Sequence, residues 1–351
     1  MNIDRSLSLR QTGFSLMELM IAITIGFIVV AGVGYLYLGS RQTFRTQDNL
    51  STIQENSRFA LDTMSRDIRM AGYIGCGNFS SITFNNITQS PQITVPTGGL
   101  QVFPGGAGWT APAGITRVAG DVLRIARARS GGVTLTGNMG TLNANIQIGG
   151  NPNNYQAGDI LMVSDCQNGD VFVANNVSNS GGTVTIAHSN SVNTSDFLSK
   201  LYGTSPPPAQ VYTFQQTDYF LGCPTTSWAG GQCSVPVALF QVINNGVPQP
   251  LVDNVENMGF LLGVAAPSAK VVGSYDDPTT VAAANNWANV LSVQVHLLMV
   301  GGPANDTGSN VAVTSQPYSF IVNGTTYASY PADRRMRQDA TATIAIRNHL
   351  L

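Results

Sequence analysis

The sequence predicts an α+β fold, a long N-terminal membrane-spanning helix packed on a β-rich globular head with loop-rich insertions. Three observations carry this expectation. An apolar run from Phe14 to Leu38 holds one charged side chain, Glu18. A proline-free amphipathic stretch continues from it to Gly72. Beyond Gly72 the pattern turns to short alternating segments separated by Gly, Asn and Pro.

The first element divides into a leader and a helix. Residues 1–13 are polar and carry Arg5 and Arg10, which favour retention on the cytoplasmic side. A helix over Leu19–Leu38 spans roughly 30 Å, the thickness of a bilayer core. An ordinary secretory signal fits poorly, because the apolar run is too long and the small residue, Gly13, precedes it. Glu18 also argues against a plain anchor, since a carboxylate in a membrane helix costs on the order of 2.5–3.5 kcal/mol.

The stretch Gly13-Phe14-Ser15-Leu16-Met17-Glu18 resembles the type III signal of type IV prepilins. That resemblance implies cleavage after Gly13 by a prepilin peptidase and N-methylation of Phe14. It also implies pairing of the Glu18 carboxylate with the amino terminus of a neighbouring subunit. Two charges that are each costly to bury become tolerable as a pair.

Leu50, Ile53, Leu61, Met64, Ile68 and Ala71 then recur at helical spacing, with Ser57 in the one gap. Charged residues from Arg45 to Arg69 lie off the stripe, and Asp62 and Arg66 stand at i, i+4. The expected helix runs from Phe14 to about Ala71, with Gly72 as its stop and Gly39-Ser40 as the place where a break is admissible. The implied organisation is a cleaved leader over 1–13 and a long helix over 14–72. Within it, 14–38 is the membrane or filament part and 39–72 the amphipathic part. A β-rich head section with insertions follows over 73–208, and a C-terminal β section over 209–351.

In the head, Asp121–Arg129 reads as a strand. Asp159–Ser164, the turn Gln167–Asp170 and Val171–Val177 read as a hairpin that Gly182–His188 continues. Leu239–Ile243, Val290–Val300 and Thr341–Ile346 are further strands, and Ser205-Pro206-Pro207-Pro208 reads as a connector between two β sections. Charged residues make up only 10% of the chain, against about 25% in a typical soluble domain. No Arg occurs between Ser130 and Asp333, which speaks against a nucleic-acid partner. None of the four cysteines forms a C-x-x-C pair, so a zinc site is not expected and two disulfides are. Of the three connectivities, the favoured one joins Cys223 to Cys233 across a local loop and Cys76 to Cys166.

Beyond the signal, the chain is similar to PilW-type minor pilins. The similarity rests on Ile53–Cys76, Asp165-Cys166 with Gly169–Phe172, Tyr219–Gly222, Val255-Glu256, Trp287 with Val290–Leu298, and Asp333–Asn348. It implies a non-enzymatic subunit that helps prime assembly of a type IV pilus and sits near its tip. It implies residence in the bacterial inner membrane with the head in the periplasm, then in the extracellular pilus. The implied partners are the prepilin peptidase, other minor pilins, the major pilin, the inner-membrane assembly platform and a large tip adhesin. A minor pseudopilin of a type II secretion system shares the signal and helix, and a membrane-tethered periplasmic binding module is the reading from a different class.

Nucleophile, zinc-protease, dinucleotide and P-loop motifs are absent, so neither catalysis nor a cofactor is expected. His188, His296 and His349 read as structural or exposed. Asp165, Asn168 and Asp170 offer oxygen ligands of the kind Ca²⁺ takes, but the same residues suit a hairpin turn, the preferred reading. Arg334, Arg335 and Arg337 form the one dense basic cluster of the head, read as solvated or internally paired.

Overall fold

The computed structural model describes residues 13–76, 82–129, 131–301, 316–333 and 335–349. It divides into two compact units, Met1–Asn49 and Leu50–Leu351. One helix, α1 (Leu16–Arg69), begins in the first unit and ends in the second without a break at Gly39-Ser40. It is shorter than expected by two residues at each end. At its C-terminal end Met70 and Ala71 make a turn and Gly72 adopts a φ of +69°. A side chain at Gly72 would also meet the Gly98 carbonyl oxygen at 2.8 Å, so the stop requires glycine twice over.

The head is built on strands β1 (Thr83–Asn86), β2 (Leu100–Phe103), β3 (Ile115–Arg117), β4 (Val122–Ala128), β5 (Val133–Thr134), β6 (Ile146–Gly149), β7 (Ile160–Ser164), β8 (Asn168–Val173), β9 (Asn176–Ser180), β10 (Thr183–Ala187) and β11 (Gln210–Pro224). They are followed by β12 (Trp228–Ala229), β13 (Gln232–Cys233), β14 (Ala238–Ile243), β15 (Gln249–Asp253), β16 (Val255–Val264) and β17 (Ser274–Asp276). After the short helix α2 (Pro278–Ala283) come β18 (Val290–Val300), β19 (Tyr318–Val322), β20 (Thr325–Tyr330) and β21 (Arg337–Ala345).

The long strand β11 organises the larger sheet. It pairs antiparallel with β3, β4, β5 and β7 on the one hand and with β14 on the other. The sheet therefore runs across residue 208: the proline-rich connector precedes β11 but does not separate two β sections. A second sheet has the order β17-β16-β18-β21. The packed half of α1 shares a core with both. Ile53, Ala60, Met64 and Ile68 share one core with Leu123, Tyr219 and Leu239 of the first sheet and Phe260, Val295 and Ile344 of the second. Each such aliphatic side chain contributes roughly 1.5–3 kcal/mol by burial.

Two expectations need correcting. The β7–β8 hairpin exists, but β8 starts at Asn168, so Asn168–Asp170 are strand and the turn is Asp165–Gln167. The segment Gly182–His188 does not continue that hairpin. Its strand β10 pairs with β9 and β6 in a separate three-stranded sheet, stacked on β7, β8 and β11 through Ile146, Ile148, Val184 and Ile186. Alternation reports which face is buried but not which strand lies alongside.

Candidate functional site

The first candidate lies at the start of α1. Gly13, Phe14 and Ser15 are outside the helix, and Phe14 is 90% exposed. The Ser15 hydroxyl accepts the Met17 N–H at 3.3 Å, and Glu18 Oε2 accepts the Ser15 N–H at 3.2 Å. The two bonds resemble a capping box, with Ser15 holding the Met17 amide in place of that of Glu18, and they satisfy donors that the first helical turn leaves open. The sequence reading assigned Glu18 to pairing alone and missed this second use, although Ser at three residues before Glu announces it. From Leu16 to Leu38 the side chains are exposed all round, Phe27 at 71% and Leu36 at 71% among them. α1 is the one helix among the described residues long and apolar enough to cross a membrane, with a mean hydropathy of 2.4 over its best window.

The second candidate is the lower end of α1 within the head. Asp67 is 8% exposed and stands beside the apolar stripe. Its Oδ1 accepts from Arg127 Nη2 at 2.8 Å, and its Oδ2 from the Tyr219 hydroxyl at 2.7 Å and from Gln241 Nε2 at 3.3 Å. Burial, and then the Asp67 charge, push the Tyr219 hydroxyl well above its ordinary range, so it remains a donor. The chain's end closes the helix from outside. Asn348 Nδ2 donates to the Ala71 carbonyl at 3.1 Å, and the ring nitrogens of His349 lie 2.6 Å from the Val290 carbonyl oxygen and 2.7 Å from that of Gly98. His349 is thus buried, as are His188 and His296.

Two disulfides add covalent ties to the head. Cys76–Cys166 joins the segment after α1 to the β7–β8 turn, with a Cα–Cα distance of 5.3 Å. Cys223–Cys233 joins the end of β11 to β13 at 6.2 Å. Both separations suit a disulfide. At the β7–β8 turn, Asp165 accepts from the Gln167 and Asn168 N–H groups and from Lys200 Nζ. Burial opposes its charge, but these donors outweigh it and hold the carboxyl below the usual carboxylate range. Asp170 is fully buried, with Asn85, Ser199 and Tyr202 donating to it. The Asp165 and Asp170 carboxylate oxygens are thus engaged by donors of the fold itself.

The basic cluster of the C-terminal region is internally paired where it is described; Arg334 lies outside the described residues. Arg337 donates to both Glu256 and Asp333, at 2.5–3.1 Å, and its guanidinium lies 4.5 Å from the Tyr330 ring centroid. Arg335 donates to Glu256 at 3.2 Å. Burial opposes the Arg337 charge, yet the two carboxylates outweigh this and hold the guanidinium above its ordinary value. This group pins the entry of β21 to the start of β16.

Residues 8–34 match the family model of the prokaryotic N-terminal methylation motif. Residues 237–348 match that of the type IV pilus-assembly protein W. The two matches give the chain a prepilin-type N-terminus and, over its C-terminal third, a domain similar to that of type IV pilus-assembly protein W. The PilW match runs from β14 to the C-terminal tail, so it takes in the whole second sheet, the Glu256–Arg337 group and Asn348. The quoted segments Ile53–Cys76, Asp165–Phe172 and Tyr219–Gly222 lie outside it. No curated protein and no solved structure matches the chain. A methylation motif of this kind at the head of a long apolar helix suggests membrane anchoring and pilus association.

Proposed function

We propose that the chain is a minor pilin, a non-catalytic subunit that helps prime assembly of a type IV pilus and resides near its tip. In this reading the leader 1–13 is removed by the prepilin peptidase between Gly13 and Phe14, and Phe14 is N-methylated. The subunit waits in the inner membrane with its head in the periplasm, Leu50–Leu351 forming that head and 14–38 the membrane part. Other minor pilins, the major pilin, the assembly platform and a large tip adhesin are its partners there and in the extracellular pilus.

One observation carries the proposal. A 54-residue helix presents an uncovered apolar half with a carboxylate in its first turn, and its other half is the spine of a head that ends in a PilW domain. An anchor needs only the first of these features, and a periplasmic binding module only the last. Buried against the amine of an adjoining subunit, Glu18 would replace its contact with its own Ser15 N–H by a stronger, charge-assisted one. The decisive measurement is mass spectrometry of the native N-terminus. The expected species begins at N-methylated Phe14, and a native chain still beginning at Met1 would refute the reading. Loss of surface pili, with secretion intact, in cells lacking the chain separates a pilus subunit from a pseudopilin.

A further inference from the structure

The sheet edges of the head are guarded unequally. β15 contains Pro250 and a register shift against β14, and its last carbonyl, on Asp253, accepts from Asn56. β1 has four residues and β17 three, and the β19–β20 hairpin carries a register shift. Proline, bulges and shortness are the usual means by which proteins keep an open edge from pairing with another chain. β21 has none of them. It runs nine residues, about 30 Å, in unbroken register with β18 and contains no Pro or Lys.

The register fixes which groups point outward. The Ile346 N–H donates to the Leu291 carbonyl and the Gly301 N–H to the Met336 carbonyl, and both pairs continue the β18–β21 register. Antiparallel pairs alternate between bonded and unbonded. Gln338, Ala340, Ala342 and Ile344 therefore bond to β18, and Asp339, Thr341, Thr343 and Ala345 direct their N–H and C=O groups away from it. Among the described residues no hydrogen bond reaches that outward backbone row. The side chains of Thr341, Thr343 and Ala345 are short, uncharged and exposed. The two charges on the strand are turned to internal partners, Arg337 to Glu256 and Asp333, and Asp339 to His296 at 3.2 Å.

We propose that the outer edge of β21 receives an extended strand from a different prepilin-type subunit, which continues the second sheet across the subunit boundary. This rests on the pilus-assembly reading above. A row of alternating backbone donors and acceptors is complementary to a strand and to little else. The occupant is a different subunit because, among the described residues, every other sheet edge of a second copy is interrupted or shorter, the plainest being β9 with five residues. Two copies could meet only β21 to β21, a closed two-fold pairing, whereas a growing filament needs contacts that do not close.

The test uses the full-length chain in membranes of a piliating cell, with a photo-crosslinking residue at Ala345 and adducts identified by mass spectrometry. Thr343→Pro removes an outward N–H and none of the β18 ladder, a position at which an edge strand tolerates proline. Thr343→Val keeps the N–H. The expected result is an adduct with another prepilin-type subunit, retained by Thr343→Val and reduced tenfold or more by Thr343→Pro. Hydrogen exchange on the unsubstituted protein gives a second reading, independent of any folding defect. The Thr341 and Thr343 amides should exchange fast in detergent-solubilised subunits and slowly in pili, while those of Ala340 and Ala342 stay slow in both. Equal adduct yields for the two variants, an adduct with a second copy, or fast exchange of the outward amides in pili would each overturn the inference. None of these touches the minor-pilin reading, which fails instead on an unprocessed N-terminus.

Discussion

The two halves of α1 are one helix made for two solvents. From Leu16 to Leu38 apolar side chains cover the whole circumference, and none is buried. From Leu50 to Arg69 the apolar residues narrow to a stripe, and Ile53, Ala60, Met64 and Ile68 are almost fully buried. A helix that is apolar all round needs an apolar surrounding, whereas a striped one needs a single apolar wall. Each half also carries one acid that its apolar neighbours cannot solvate. Asp67 is answered within the chain, by Arg127, Tyr219 and Gln241. Among the described residues, Glu18 is answered by the Ser15 N–H of its own first turn alone. The difference teaches where each half completes its structure: the second in this chain's head, the first in something outside it.

If so, damage near the second half should unfold the head, and damage in the first should not. All three tryptophans, Trp109, Trp228 and Trp287, lie in the head, so their fluorescence during urea unfolding of the solubilised chain reports on it alone. The largest effect is expected from replacing Cys76 and Cys166 with Ser. Their separation of 90 residues corresponds to about 4.6 kcal/mol in the chain-entropy picture, against about 2.7 kcal/mol for Cys223 and Cys233, separated by 10. If the two losses were equal, or in reverse order, the long bridge would not be what ties the end of α1 to the β7–β8 turn. Next comes Asp67→Ala, which leaves the Arg127 guanidinium and the Tyr219 hydroxyl without their acceptor. A loss of about 4 kcal/mol is expected, as for other half-removed buried pairs, and a loss under about 1 kcal/mol would show the pair to be incidental.

These residues also show what could be read from the sequence. The stripe over Leu50–Ala71 was legible because helical spacing is a local property. Asp67 was not, because a stripe reading assigns every acid to the wet face, and its partners are 60, 152 and 174 residues away. The interior of β11 was hidden for a related reason. Gln215, Gln216, Thr217 and Asp218 are all buried, and polar residues in a strand suggest a loop until their partners are known. Asp218 has them in Arg124, bidentate at 2.7 and 2.8 Å, and in Trp109. The core strand Val290–Val300 was legible from its unbroken apolar run, and the short reading of β21 followed from Arg337–Ala340, whose charges look solvated until Glu256 and His296 are placed beside them.

Asp121 sharpens the contrast from within the head, as a buried acid that forms no ion pair among the described residues. It is 3% exposed and accepts the Gly105 N–H at 2.8 Å. Burial pushes its carboxyl up to about 6, against the backbone donors of Gly105 and Phe260 that pull it down. Because the folded pKa lies above the unfolded one, the folded state binds the extra proton. Its contribution is complete below about pH 4 and is lost as pH rises through about 6, a difference of about 3 kcal/mol. Asp121→Asn should therefore be more stable than the parent protein at pH 7.5 and equal to it at pH 4. A constant offset between the two urea midpoints over that range would count against this assignment.

The smallest effect on the head should come from the first half. Glu18→Ala is expected to change the unfolding free energy of the head by no more than about 0.5 kcal/mol, in keeping with a site remote from the core, yet to lower the amount of the chain in sheared filaments severalfold. Glu18→Gln separates the two uses of the carboxylate. The amide oxygen can still accept the Ser15 N–H and keep the cap, but it carries no charge for a neighbour's amine. If capping is all that Glu18 does, Gln should restore incorporation; if the charge is what assembly uses, Gln should fail as Ala does. The second outcome is the expected one, because a cap is worth about 1 kcal/mol to a helix that 54 residues already sustain, whereas a buried amine with no counter-charge would cost an adjoining subunit several.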